Sequence, residues 1–211
     1  RHKRRPSLDH LVFAAPDLEE GVRHVESLFG VKMSPGGRHA GFGTHNRLIG
    51  FGAASYMEVV GIDPKAPRPE RGRWFGLDTL ARPRLVTWCA AVDDLDELLA
   101  RARAAGIDLG EPMIGSRRRE DGTMLSWRMS DPWADRAGGV VPFFIEWGAT
   151  PHPGTVLRAA CAFQRIRAEH PDADRVRRWC ETLGLDIDVT PGDDVRLIAT
   201  LDTPNGLVDL S

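Results

Sequence analysis

The sequence predicts an α+β protein assembled from a repeated strand–helix–strand unit. Three observations carry that prediction. Short apolar runs alternate with longer segments in which apolar residues recur at helical spacing. The helical segments open on aspartate and close on glycine. The same order of elements returns near residue 84 and, in a shorter form, near residue 157.

The first unit begins with Leu8-Asp9-His10-Leu11-Val12-Phe13-Ala14, a buried strand ended by Pro16 and Asp17. Asp17 is a good N-cap, and Glu19 and Glu20 favour the first helical turn. Val22, Val25, Leu28 and Phe29 make the apolar face, and Gly30 ends the helix. Pro35-Gly36-Gly37 reads as loop. Strands are expected over 47–51 and 56–62. In the second unit, 84–92 is a strand, and Asp93 to Glu97 repeats the acidic helix start. Leu95, Leu98, Leu99 and Ala102 form that helix's face, Gly106 closes it, and strands follow over 123–129 and 140–147. In the third, a strand over 161–166 precedes a helix that opens at Pro171 to Asp174 and ends at Gly184. Strands over 194–201 and 206–210 flank an Asp-Thr-Pro-Asn-Gly turn. The expected organisation is therefore a tail over 1–7, units over 8–62, 84–150 and 157–211, and a Pro/Arg/Gly-rich linker over 63–83.

Composition narrows the function. Of 211 residues, 42% are hydrophobic and 27% charged, so a core forms without covalent staples. A net charge of −2 excludes the basic surface of a nucleic-acid or membrane-surface protein. The one basic run, Arg1 to Arg5, reads as a solvated end. Cys89, Cys161 and Cys180 are odd in number and lack CxxC spacing, which argues against a disulfide framework or structural zinc and for a reducing, cytoplasmic setting. No signal-peptide pattern and no membrane-length apolar run is visible. A phosphate-binding glycine loop, a GxSxG elbow and an HExxH helix are all missing from the sequence.

The repeated βαβββ module is the building block of the vicinal oxygen chelate superfamily, and the chain resembles its glyoxalase-like domain branch. The resemblance rests on Leu8-Asp9-His10 with Pro16-Asp17-Leu18, on Gly37 to Asn46, and on Tyr56-Met57-Glu58. It continues in Ser116-Arg117, Asp121-Gly122, Trp127 and Pro142 to Trp147, and so covers about residues 8–148. It implies βαβββ modules paired into a curved mixed sheet with a cleft, and a third partial module at the C-terminus. It further implies a divalent metal (Zn, Mn, Fe, Ni or Mg) held by first- and last-strand side chains: His10, Glu58 and Glu146. Placing Asp17-Leu18 on Asp94-Leu95 sets His10 on Thr87, a poor ligand, so at most three of the usual four donors survive.

Around that centre, His39 follows a glycine-rich loop and is a candidate acid/base group, with Glu146 as a second catalytic candidate. His45 is either a fourth ligand or a surface strand end, and Asn46 a substrate-orienting amide or a turn residue. Arg117 suits a substrate anion, or else belongs to a solvated hairpin. Trp127 and Trp147 either line a pocket or fill the core. His24, His152 and His170 receive no role. The expectation is a metal-dependent lyase, isomerase or dioxygenase acting on a small oxygenated molecule. The alternative is a metal-free binding or sequestration protein, favoured by Thr87. The unpaired third unit points toward a homodimer.

Overall fold

In the computed structural model, which describes residues 4–52, 54–119 and 121–211, two units build one sheet. The first contains β1 (Ser7–Ala15), α1 (Leu18–Phe29), β2 (Ser34–His39), β3 (Thr44–Gly50) and β4 (Tyr56–Ile62). The second contains β5 (Arg84–Ala91), α2 (Leu95–Ala104), β6 (Met113–Arg118), β7 (Met124–Met129) and β8 (Phe143–Glu146). The strand order is β2-β3-β4-β1-β5-β8-β7-β6. Each unit lays its first strand parallel to its last, and the antiparallel β1/β5 pair is the seam between units. The sheet curls until its two edges meet. Gly37 on β2 lies so close to Arg117 on β6 that a Cβ there would fall 2.7 Å from Arg117 Cδ.

The helices form where their sequences say they should. Asp17 accepts hydrogen bonds from the N–H groups of Glu19 and Glu20, and Gly30 ends α1 in the left-handed conformation. Asp94 caps α2 through Glu97 N–H. Leu18, Val22, Val25 and Phe29 of α1 bury against the sheet's convex face, with Leu95, Leu98, Leu99 and Ala102 of α2 in the same core. Gly21 allows the closest approach: a Cβ there would meet Ala15 Cβ at 2.6 Å and Val59 Cγ1 at 2.9 Å. A second core fills the concave side, with Val12, Phe42, Val60, Trp74, Leu77, Val86 and Phe143 among its members.

The third unit holds β9 (Ala162–His170), α3 (Ala173–Leu183), β10 (Asp188–Pro191), β11 (Arg196–Thr203) and β12 (Gly206–Leu210). It repeats the element order but not the strand order. Its separate sheet runs β10-β9-β11-β12, with the first strand beside the strand that follows the helix. It packs on its own chain rather than standing unpaired. Asn205 Nδ2 donates to the carbonyls of Ser27 and Leu28, and Asn205 N–H donates to Phe29 O, which satisfies carbonyls left open at the end of α1.

Several segments differ from the sequence reading. Residues 35–37 are not loop: they lie in β2, with a register shift between Pro35 and Arg38. A Cβ on Gly36 would fall 2.1 Å from Asn46 Oδ1, so the glycines that suggested a loop make room inside a strand. β6 and β10 were equally unforeseen. All three are edge strands, polar and short, as exposed edges tend to be. β8 begins at Phe143 rather than 140, because Ala137–Gly139 form a tight turn in which Gly139 has φ 100°. The linker over 63–83 is not merely a connector, since Trp74 and Leu77 plug the concave core. Arg1 to Lys3, most of the basic run, lie outside the described residues, as does Glu120. Among the described residues no helix is long and apolar enough to cross a membrane.

Gly21 offers a test of the α1 contact. Alanine is normally the better helix former by about 1 kcal/mol. At Gly21 the added methyl has no space, so Gly21→Ala is expected to cost a net 1 kcal/mol or more, roughly. Urea unfolding should show a lower midpoint with an unchanged slope.

Candidate functional site

The site lies where the seam meets the concave face. β1 is bulged between Leu8 and His10 in its pairing with β5, and Asp9 is the extra residue. A bulge re-aims side chains that would otherwise alternate, and Asp9 and His10 come together. Asp9 Oδ1 lies 2.6 Å from His10 Nδ1. Its other oxygen, Oδ2, accepts from Trp147 Nε1 at 2.8 Å and from His152 Nε2 at 2.7 Å. His152 Nδ1 accepts from Gly154 N–H, so its Nε2 is the protonated nitrogen. Burial alone would raise the Asp9 pKa, but the hydrogen bonds from His10 and His152 prevail and hold it at about 2. Burial likewise works to lower the His10 pKa. The Asp9 hydrogen bond and charge, helped by Glu58, outweigh it, and His10 titrates above the ordinary histidine value.

With Nδ1 committed to Asp9, His10 Nε2 points toward Glu58 Oε1, 3.7 Å away. That gap is longer than a hydrogen bond. Glu58 Oε2 accepts from Asn46 Nδ2 at 2.8 Å, and Asn46 Oδ1 accepts from Gly37 N–H at 2.8 Å. The bulged glycine strand therefore orients Asn46, and Asn46 orients Glu58. Tyr56 stacks on His10 with ring centroids 4.7 Å apart, and burial pushes its phenol well above the usual range. His39 is buried beside Asn46, with Nδ1 sharing the Thr44 hydroxyl with Trp74 Nε1. Burial lowers its pKa to about 4 against the opposing pull of Glu58, so its ring is neutral at pH 7.

These groups face one narrow pocket. His10, His39, Asn46, Glu58, Tyr56 and Arg117 supply its polar lining. Trp74, Trp127, Phe143 and Trp147 supply much of the apolar wall. His10, His39, Asn46, Glu58, Arg117 and Trp127, far apart in sequence, thus share one cavity.

Glu146 does not join them, which corrects its assignment as ligand and catalytic group. On β8, Phe143 and Ile145 face the pocket, so the alternation turns Glu146 to the helix side. There Glu146 Oε2 accepts from Leu95 N–H at 2.8 Å, at the start of α2, and Oε1 lies 3.5 Å from Arg128. The registers explain the misplacement. Val12 pairs with Glu58 across β1/β4, and Cys89 pairs with Phe143 across β5/β8. Val12 and Cys89 are equivalent under the alignment that sets His10 on Thr87, so the counterpart of Glu58 is Phe143. His45 is also outside the cavity: Thr44 and Asn46 are buried on one face of β3, and half-buried His45 points the other way.

The donor set does not fit the four-ligand metal site of the fold. The second half offers Thr87 and Phe143, and the Thr87 hydroxyl is already engaged, donating to Gly139 O at 2.9 Å and accepting from Arg136 Nη1 at 2.8 Å. Among the described residues the only compact donor group is Asp9, His10 and Cys89. Asp9 and His10 are in direct hydrogen-bond contact there, and Asp9 Oδ2 is taken by Trp147 and His152, so its carboxylate has no free oxygen to offer an ion.

The family model of the glyoxalase-like domain matches residues 8–184. The chain belongs to that family. Among solved structures, this glyoxalase-like chain is similar to a hypothetical protein from Staphylococcus aureus. The TM-score is 0.64 and the identity 16%, over 96% of this chain and 84% of that one. The likeness shows the fold alone, and its coverage extends into the third unit. A methylmalonyl-CoA epimerase from Mycobacterium tuberculosis is also similar, with a TM-score of 0.43 and 20% identity over 67% of this chain and 87% of that one. A likeness at that score says nothing about chemistry. No curated protein matches.

Sequence reasoning passed over Asp9, Tyr56, Trp74 and His152. The available signal was Asp9-His10 itself, two adjacent polar residues in an apolar strand, which a regular alternation cannot bury on one face.

The Asp9–His10 pair has a defined pH window. The Asp9 value is depressed, so its contribution is complete above the unfolded value of about 4 and fades as pH falls through about 2. The His10 value is raised, so its contribution is complete below about 6.5 and fades as pH rises through its folded value. Asp9→Asn is expected to lower the His10 titration point, read by NMR, and to cost on the order of 2 kcal/mol near pH 6. An unchanged His10 titration would contradict the pairing.

Proposed function

We propose that the protein is a small-molecule enzyme that moves a proton on a carboxylate-bearing carbonyl compound, without a resident metal. The observation that carries this reading is the facing of His10 Nε2 and Glu58 Oε1 across 3.7 Å in an aromatic-walled pocket with Arg117 in its lining. Each group is held by a partner outside the reaction: His10 by Asp9, Glu58 by Asn46. Such preorganisation is what proton transfer requires.

In this mechanism the Arg117 guanidinium binds the substrate carboxylate. The Glu58 carboxylate takes a proton from the carbon next to the carbonyl. The C–H electron pair moves into an enolate, whose oxygen accepts a hydrogen bond from Nε2–H of the His10 imidazolium, the form in which both ring nitrogens carry protons. Return of the proton to carbon, on the same or the opposite face, completes an isomerase-type cycle. His39, with a pKa of about 4, is neutral at pH 7 and stands in the pocket wall beside Asn46. The enclosure of the pocket by Trp74, Trp127 and Trp147 favours a second reading, retention of a ligand without turnover.

Hydrogen exchange at carbon tests the proposal whatever product the cycle forms. In D2O, proton NMR follows loss of the α-hydrogen from a panel of 2-oxo and malonyl-type acids. The enzyme reading expects exchange of at least one compound, slowed about 100-fold or more in Glu58→Gln. Arg117→Ala is expected to raise the half-saturating concentration about tenfold with a smaller effect on the maximal rate. Exchange that is undiminished in Glu58→Gln, or no exchange across the panel with a ligand retained unchanged, would overturn it in favour of binding alone.

A further inference from the structure

A second recess opens on the far side of Thr87 and Phe143 from the pocket just described. Its lining includes Phe75, Arg84, Thr87, Trp133, Asp135 and Arg136, and its empty volume is about 770 Å³. Phe143 lines the first pocket and touches the second only through Arg136. Its ring lies 5.6 Å from the His10 ring on one side and 5.6 Å from the Arg136 guanidinium on the other.

Arg136 is only 6% exposed, and its guanidinium has no carboxylate within ion-pair distance among the described residues. Nη1 donates to Thr87 Oγ1 and Val141 O, and Nη2 donates to Pro132 O. Nε has no partner among the described residues. Trp133 Nε1 is a second buried donor without one, and it lines the same recess. Leaving a buried donor unpaired costs about 1–3 kcal/mol, and more for a charged group. Both donors belong to residues that line the recess, so an acceptor lodged against them would satisfy both.

We infer that this recess binds a small planar monocarboxylate, whose oxygens accept from Arg136 Nε and Trp133 Nε1. The charge suits one negative charge rather than two. Among the described residues Arg136 is the only buried cation lining the recess, and the carboxylates of Asp131 and Asp135 lie near enough to influence it. The Phe75 ring suits a flat, unsaturated body behind the carboxylate, while the Trp133 ring is already stacked on Phe42 and covered by the Arg71 guanidinium, leaving its N–H as the group it offers. This site is separate from the Glu58 pocket and does not depend on the reaction proposed there.

The test uses the uniformly 15N-labelled full chain and benzoate as probe. Six tryptophans give six indole N–H signals, and Trp133→Phe identifies the one of interest. Sodium benzoate is titrated against sodium chloride at matched ionic strength. The Trp133 signal is expected to move saturably with benzoate, half-saturating in the low millimolar range or below, on the order of −4 kcal/mol. Calorimetry should show at least about fivefold weaker binding in Trp133→Phe, the loss of one hydrogen bond. Arg117→Ala should leave that affinity within about twofold, and inorganic phosphate should bind more weakly than benzoate. Arg136→Lys, which keeps the charge and removes Nε, provides a second variant. Failure of the wild-type Trp133 signal to respond would overturn the proposal. So would an equal response to chloride, or loss of benzoate binding in Arg117→Ala, which would place benzoate in the other pocket.

Discussion

A single buried carboxylate organises the functional half of the molecule. Asp9 is 1% exposed, in the middle of the seam that joins the two units. An ionised carboxylate survives there only if hydrogen bonds replace its lost water. Three do: His10 from the adjacent position, Trp147 from just beyond β8, and His152 from the segment that leads to the third unit. Satisfying Asp9 thus fixes which nitrogen His10 presents to the cavity. It also draws Trp147 in as a wall and brings His152 edge-on to Tyr56, which stacks on His10. The bulge at Asp9 makes this convergence available, since a regular strand would send Asp9 and His10 to opposite faces.

The two βαβββ units are equivalent in backbone and unlike in chemistry. Where the first unit presents His10 and Glu58, the second presents Thr87 and Phe143. The second half is not vacant. Arg136 reaches across to the Thr87 hydroxyl and lies over the Phe143 ring, so a fixed cation occupies ground that a symmetric site would give to metal ligands. A guanidinium and a divalent ion repel each other, and burial leaves the guanidinium no easy way to leave. The same duplication that builds the barrel therefore yields two different pockets, one on each side of Phe143.

Most of the architecture was legible because helices and central strands carry strong local signals. Asp17, Gly30, Asp94 and Gly184 mark helix ends by cap chemistry that needs no tertiary context. The misses share one cause. β2, β6 and β10 are edge strands, whose Gly, Pro and Arg residues reflect what a neighbour needs rather than what a strand prefers. Gly36 and Gly37 look like loop until Asn46 and Arg117 are seen to fill the space of their missing side chains. Glu146 shows the limit of strand patterns more sharply. A one-residue slip inverts every side chain on a strand, and the position of Glu146 two residues before Gly148 gave no hint that Ile145 was the inward residue. His10, Glu58, Asn46 and Arg117 were accessible through the resemblance. Asp9 and Arg136 were not, because their roles follow from a bulge and a tight turn.

The central claim is that the chain keeps one half of the fold's donor set and has closed the other half with Arg136. Elemental mass spectrometry of untagged protein, purified without chelators and then equilibrated with Mn, Ni and Zn in turn, tests it most directly. The account expects far less than one ion per chain, no rise in thermal midpoint with any of the three, and no difference between wild type and Glu58→Ala. One tightly held ion per chain, lost together with the thermal shift in Glu58→Ala, would contradict it.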